Sequence, residues 1–268
     1  PVHNQAIKLS LRIPRIGERK SQRLVVVRDI TAIYHLNMIR RDFFANASHE
    51  LRTPLTVIAG FLETLGDSPL TPTPHRRPLE LMISQTSRMR SIVEDLLTLS
   101  RLEMSQQSEH IETADVPAEI SAIVHEAEAL SRGRHILDLE VDPNLLLIGN
   151  LVELRSAFSN LVFNAIQHTR DGSRVHVAWG NRTGQPVFAV TDDGEGIAQE
   201  HIPRLTERFY RVDRGRSRAS GGTGLGLAIV HHVLNRHDAQ LIIASDAGKG
   251  ASFACRFPSR CAVSRHDQ

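Results

Sequence analysis

Apolar and polar residues alternate with a period of two at the start of the chain. The stretches "IKLSLRIP" and "RLVVVRDIT" both show it, and "GERKSQ" between them is turn-forming, so the pattern predicts a β-hairpin. A hairpin this small holds no core of its own, and the segment reads as the end of a larger β-containing domain. From about Ala32 to Leu65 the period becomes helical. Phe44, Leu51, Leu55, Ile58, Leu62 and Leu65 recur at alternating three- and four-residue steps, with Ser48 filling the open position. "GDSPLTPTPHRRP" then breaks the pattern with four prolines and one glycine. A second heptad series follows through Leu79, Met82, Thr86, Met89, Val93, Leu96 and Ser100. The two series predict an αα-hairpin. Each helix is apolar on both sides of its seam (Phe61 beside Leu62, Leu96 beside Leu97), more surface than one hairpin covers. Two hairpins from two chains cover it as a four-helix bundle, which predicts a homodimer. The alternative is a bundle closed by the chain's own second domain.

The segment from Ser105 to Asp115 is polar and reads as a linker. Beyond it, helices and strands intermix. "PAEISAIVHEAEALSRGR", "LVELRSAFSNLVFNAIQHT" and "GLAIVHHVLNRH" are amphipathic helices. "HILDLEVD", "LLLIG", "RVHVAWGN", "PVFAVTDD", "AQLIIASD" and "ASFACRFP" are strands. The order predicts an α+β sandwich.

Composition narrows the field. A net charge of +2 over 268 residues gives no footprint for nucleic acid as the main partner. The two cysteines, Cys255 and Cys261, form no metal or disulfide framework, which favours a reducing compartment. No apolar run approaches the ~18 residues of a membrane span, and no signal peptide is present. The chain begins at Pro1 and reads as part of a longer protein whose membrane anchor would lie upstream.

Three features in the second half carry chemistry. Asn160, Asn164 and His168 are spaced four apart, so they share one helix face. Two stacked amide oxygens can serve a divalent cation, or the face is an ordinary polar edge. "DDGEGI" directly follows a strand. Gly194 and Gly196 permit a tight turn, and the Asp192 carboxylate can accept from an amino group such as that of adenine; a plain surface turn is the alternative. "SGGTGLGLAIV" runs glycines into a helix beginning near Leu225, where free amides favour phosphate. A Walker loop lacks its Gly-Lys-Ser/Thr here, and a dinucleotide fingerprint lacks its preceding strand.

In this order the three features resemble the Bergerat (GHKL) ATP fold of histidine kinases, Hsp90, gyrase B subunits and MutL. "ERFYRVDRGRSR" resembles the phenylalanine box and start of the ATP lid of histidine kinases, and "GKGASF" their last glycine box. The resemblance implies ATP and Mg²⁺, with Asn160 and Asn164 toward the metal. It implies nucleotide contacts from His168, Asp192, Gly194, Gly196, Phe209, Arg211, Gly222, Thr223, Gly224, Leu225 and Gly226. The asparagine box usually carries Lys or Arg where this chain has Gln167. The corresponding phosphate contact is either absent or supplied by Arg211 or Lys249.

A second motif set stands upstream. "FANASHELRTPL" resembles the H-box of bacterial sensor histidine kinases. A zinc-protease reading fails, since HExxH needs a histidine where Thr53 stands. The heptad seam passes through Ser48 and Leu51, which puts His49 just off it, on the bundle's flank. By resemblance His49 accepts the γ-phosphoryl group, Glu50 orients it and acts as general base, and Thr53 helps position water for dephosphorylating a response regulator. Arg52 either neutralises phosphate charge or is a surface residue. Pro54 frees the Glu50 carbonyl and so predicts a hinge. "RLVVVRDIT", "RRDFFANASHELRTPLTV", "VEDLLTLSRLE" and "GLAIVHHVLNRHDAQL" further resemble the phosphate-regulon (PhoR-type) sensor kinases. The implied organisation is a PAS-like end over residues 1–30 and a dimerisation and phosphotransfer domain over 31–105, followed by an ATP-binding domain over 106–262 and a tail over 263–268. Implied partners are a second copy and a receiver domain. The implied location is the cytoplasmic side of the bacterial inner membrane. Other GHKL ATPases and a nucleotide-binding scaffold without phosphotransfer are the competing readings.

Overall fold

The longest helix, α2 (Thr73–Met104), starts inside the proline-rich segment rather than after it. Pro78 lies within its first two turns, where it removes one of the earliest backbone bonds. The computed structural model describes residues 9–12, 15–16, 22–23, 26–29, 51–52, 55–65, 73–104, 111–212 and 223–265. It divides into a unit ending at Glu50 and one beginning at Leu51.

In the first unit, β1 (Leu9–Arg12) pairs antiparallel with β4 (Val26–Asp29), and β2 (Arg15–Ile16) with β3 (Gln22–Arg23). Leu9 faces Asp29 and Arg15 faces Arg23, one continuous register, so the expected hairpin forms.

The second unit opens with the hairpin helices. Residues 51–52 and 55–65 are helical (α1). On α2, Leu79, Thr86, Val93 and Ser100 are buried and recur every seven residues, while Met82 and Met89 between them are 47% and 49% exposed. On α1, Leu62 is buried but Leu51, Val57, Ile58, Phe61 and Leu65 are exposed. Among the described residues, the single chain thus leaves Leu51, Ile58, Leu65, Met82 and Met89 of the heptad seam uncovered.

A two-layer sandwich follows. Its helices are α3 (Val116–Ser131), α4 (Leu151–His168) and α5 (Gly226–Arg236). Asp115 caps α3 by accepting from the Ala118 amide, and Asn150 caps α4 by accepting from the Glu153 amide. The main sheet uses β6 (Ile136–Val141), β8 (Arg174–Arg182), β9 (Gln185–Asp192), β10 (Gln240–Ser245) and β11 (Ala251–Arg256), in the order β10-β11-β9-β8-β6. Only β6 and β8 are parallel. A second sheet pairs β12 (Ala262–Ser264) and β5 (Glu112–Ala114) on either side of β7 (Leu145–Gly149). Two expectations are corrected here: the polar linker ends in a strand at Glu112, and the last strand runs past residue 262 to Ser264. Both strands are three residues long, too short for an alternating pattern to show; pairing with β7 creates them.

The core holds Phe158, Trp179, Phe188 and Phe257, with Phe158 and Phe188 ring centroids 4.2 Å apart. Each fully buried side chain of this kind contributes about 1.5–3 kcal/mol. His237 closes the lower end of α5. Its Nδ1 donates to the Val233 carbonyl (2.8 Å) and its Nε2 accepts from the Asn150 amide (3.1 Å). Burial holds its pKa below the ordinary histidine value, so the ring is neutral. This stabilisation is present above about pH 6.5 and is lost as pH falls below that value, because the unfolded chain takes up the proton first. His237→Leu leaves the Asn150 amide unpaired and is expected to cost about 1–3 kcal/mol. Urea unfolding from about pH 7.5 to about pH 5.5 checks it: the difference between wild type and variant shrinks toward acid.

Candidate functional site

Four segments converge at the N-terminus of α5. The first is α4. Asn160 donates its amide nitrogen to the Ser156 carbonyl (2.8 Å), which turns Oδ1 outward, toward Gly226. A Cβ on Gly226 would lie 2.4 Å from that Oδ1 and 3.7 Å from the Asn164 amide nitrogen. Only glycine lets α5 begin so close to both asparagines. His168 ends the helix, exposed at the rim of the site. Partial desolvation first, then the Arg211 guanidinium, push its pKa below the ordinary value.

The second segment leaves β9. Asp192 accepts from the Gly194 amide at 2.9 Å. Burial raises its carboxyl above the usual range, and hydrogen bonds from the Gly194 and Ala251 amides oppose the rise. Thr169, which donates its hydroxyl to Ala165, walls Gly194: a Cβ there would meet the Thr169 methyl at 2.9 Å. Gly196 has φ +66° and a Cβ would stand 2.0 Å from the Asp246 carbonyl oxygen. Gly250 closes the same turn, at φ +79°, against the Asp192 carbonyl oxygen.

The third segment follows a 3-10 turn at Ile202–Arg204. Phe209 has φ +60°, unusual for a residue with a side chain. Its amide donates to the Gly224 carbonyl (2.8 Å), and a Cβ on Gly224 would meet the Phe209 backbone at 3.0 Å. Arg211 lies against Gly224 on one side and influences His168 on the other. The Tyr210 hydroxyl reaches His201 Nδ1 (2.8 Å), and the Arg204 guanidinium covers the Tyr210 ring at 4.2 Å, which fixes this approach.

The fourth is Thr223–Gly226. The Leu225 amide donates to the Thr223 hydroxyl at 3.1 Å, and the first intrahelical bond of α5 is Ile229 to Leu225 (2.9 Å). The amides of Gly226, Leu227 and Ala228 precede that bond and present the positive end of the helix. The assembled site is therefore one acidic group, two amides on one helix face and a helix N-terminus with an arginine beside it. That set suits a purine amino group, a divalent cation and a polyphosphate.

The structure brings together Asn160, Asn164, His168, Asp192, Gly194, Gly196, Phe209, Arg211, Thr223, Gly224, Leu225 and Gly226. His49, Glu50, Thr53, Pro54 and Gly222 lie outside the described residues. Gln167 is exposed, and Lys249 pairs with Asp246 at 3.6 Å beside the glycine turn rather than near α5. Thr169 and Gly250 take part without having been singled out in the sequence. Gly250 was visible inside "GKGASF"; Thr169 gave no signal, because its part depends on where the β9 turn folds back. A cleft of about 430 Å³ lies elsewhere, between α5 and β10 around Ile202, Leu234 and Leu241.

The His Kinase A (phospho-acceptor) domain model matches residues 39–105. The model for histidine kinase-, DNA gyrase B-, and HSP90-like ATPases matches residues 149–260. The phosphate regulon sensor protein PhoR of Pseudomonas aeruginosa is 46% identical over 256 residues, covering 95% of this chain and 57% of that protein. PhoR of Haemophilus influenzae is 38% identical over 245 residues, covering 91% and 57%. The chain thus spans little more than half the length of these relatives. Among solved structures, full-length ShkA in complex with AMPPNP superposes with a TM-score of 0.65 at 25% identity, covering 81% of this chain and 45% of that one. Among the described residues no helix is long and apolar enough to cross a membrane. The two matched domains, with the likeness to the two PhoR proteins over nine-tenths of the chain, show that it belongs to the sensor histidine kinases of the PhoR type.

Proposed function

We propose that the chain is an ATP-dependent protein-histidine kinase whose phosphoacceptor is His49. The observation that carries the reading is the convergence of Asn160, Asp192, Arg211 and the Thr223–Gly226 loop on one helix N-terminus, in a chain that also carries the phosphoacceptor domain. Asp192 accepts from the adenine amino group. The amides at the start of α5 hold the phosphates. Arg211, set between His168 and Gly224, supplies the positive charge that Gln167 does not. Asn160 and Asn164 would hold Mg²⁺ through their amide oxygens, and the metal would supply charge neutralisation at the phosphates. The outward Asn160 Oδ1 fits this role, because its nitrogen is already engaged.

His49 attacks the γ-phosphorus with an unprotonated ring nitrogen; the bond to the ADP oxygen breaks and ADP leaves with its electron pair. Glu50 holds the other ring N–H and takes its proton. The phosphoryl group passes from phosphohistidine to an aspartate on a response regulator. Thr53 helps position a water that hydrolyses the regulator's phosphoaspartate, leaving the free aspartate and inorganic phosphate. The chain acts as a homodimer. Exposed Leu51, Ile58, Phe61, Met82 and Met89 support this, since a second hairpin would cover them. The organisation is a PAS-like end over residues 1–30, a phosphotransfer hairpin over 31–105 and an ATP domain from 106 through the last strand. We place it on the cytoplasmic side of a bacterial inner membrane, in phosphate-limitation signalling, by likeness to the phosphate regulon sensors.

Incubation with γ-labelled ATP and Mg²⁺ tests the reading. Label should enter the chain and be lost in acid but not in base, as a phosphorus–nitrogen bond requires. Absence of label, or acid-stable label, overturns it, and ATP hydrolysis without label favours a GHKL ATPase instead.

A further inference from the structure

The last turns of α2 pack as part of the ATP-binding domain. Asp95, Leu99 and Leu102 follow one another at four and three residues, so they share a helix face. Leu99 and Leu102 are 2% and 6% exposed and belong to the core built by α4 and α5. Glu103 pairs with Arg208 and His232, and the Arg236 guanidinium reaches the Leu102 carbonyl at 3.3 Å. On this same face Asp95 Oδ2 accepts from the Thr223 hydroxyl at 2.7 Å, while that hydroxyl accepts from the Leu225 amide. The hairpin thereby grips the glycine loop one residue before Gly224. Partial burial raises the Asp95 carboxyl above its usual range, the Thr223 bond opposes this, and neighbouring Glu94 adds to the rise.

We propose that Asp95 is a positioning residue that ties the Thr223 loop to α2, and that a nucleotide polyphosphate arriving at the α5 N-terminus displaces its carboxylate. The inference rests on the nucleotide reading above. Two anions cannot both be favoured at one partly desolvated helix N-terminus, where like charges within a few ångströms repel strongly. The amides of α5 and Arg211 favour the polyphosphate. Once released, the Thr223 hydroxyl is free to turn to a phosphate oxygen. ATP occupancy is in this way reported to the phosphoacceptor hairpin through a single contact.

The test measures binding of Mg²⁺ with AMPPNP, and of AMP, to wild type, Asp95→Asn and Asp95→Ala. AMP is the discriminating probe because it lacks the β- and γ-phosphates, whose charge is what would compete with the Asp95 carboxylate. Both variants should bind AMPPNP about tenfold more tightly than wild type and AMP equally well. Unchanged or weakened AMPPNP binding, or an equal shift for AMP, overturns the latch while leaving the nucleotide site standing. Failure of wild type to bind AMPPNP at all overturns the nucleotide reading and the latch with it. Asp95→Asn keeps the side-chain shape, so thermal unfolding without nucleotide should match wild type.

Discussion

His49→Gln is expected to reduce phosphoryl uptake to background, a loss of at least about a thousandfold, while nucleotide binding stays at the wild-type level. The reason is chemical: glutamine occupies similar volume but offers no nitrogen lone pair to attack phosphorus. Asp192→Asn provides the opposite control. Asparagine turns a donor toward the adenine amino group in place of an acceptor, so AMPPNP binding should fall roughly hundredfold or more and labelling with it. The fold should tolerate the change. Burial raises the Asp192 pKa, so ionising the carboxyl costs more in the folded protein than in the unfolded chain. Below about pH 3.9 that cost is absent, and stability is lost as pH rises through the folded value. At neutral pH the buried charge destabilises, and Asp192→Asn should leave thermal unfolding unchanged or raise its midpoint. Calorimetric titration with AMPPNP, labelling assays and melting curves on the same three proteins separate the roles. Residual uptake in His49→Gln would mean another acceptor; a lowered midpoint for Asp192→Asn would mean the carboxylate holds the turn together.

Gly250→Ala is expected to destabilise the domain by about 4 kcal/mol, and so to lower its melting point by about 10 °C and abolish nucleotide binding. Its φ of +79° disfavours any side chain, and a Cβ would stand 2.0 Å from the Asp192 carbonyl oxygen and 2.9 Å from its carbon. Both obstacles are backbone of the strand that carries the acidic group, so relief requires moving β9 or β11 at Asp192, the residue proposed to meet the adenine. Gly248→Ala isolates the conformational part. Its φ is +84° with nothing within 4 Å, so only the left-handed strain remains, about 1–2 kcal/mol. If both variants melt alike, the crowding around Asp192 is not what constrains Gly250.

The motifs were legible because each sits where local rules leave few options. Asparagines four apart, an Asp-Gly turn after a strand and glycines entering a helix are all short-range patterns, and the alternation that marked β6 to β11 is equally local. The edge strands β5 and β12 escaped notice because three residues show no period, and they exist only through hydrogen bonds to β7. The start of α2 at Thr73 escaped because prolines near a helix N-terminus cost little. Nothing local marks Asp95, since its partner Thr223 lies far along the chain.

By itself the sequence determined the element types, the phosphoacceptor and nucleotide motifs and the family they resemble, since these depend on spacing along a helix, strand or turn. The tertiary structure alone decided which glycines are indispensable, why Arg211 rather than Lys249 lies beside the helix N-terminus, and that the end of α2 is built into the ATP domain. Those outcomes depend on which backbones approach within a few ångströms, and close approach is set by how α2, α4, α5 and the sheet pack together.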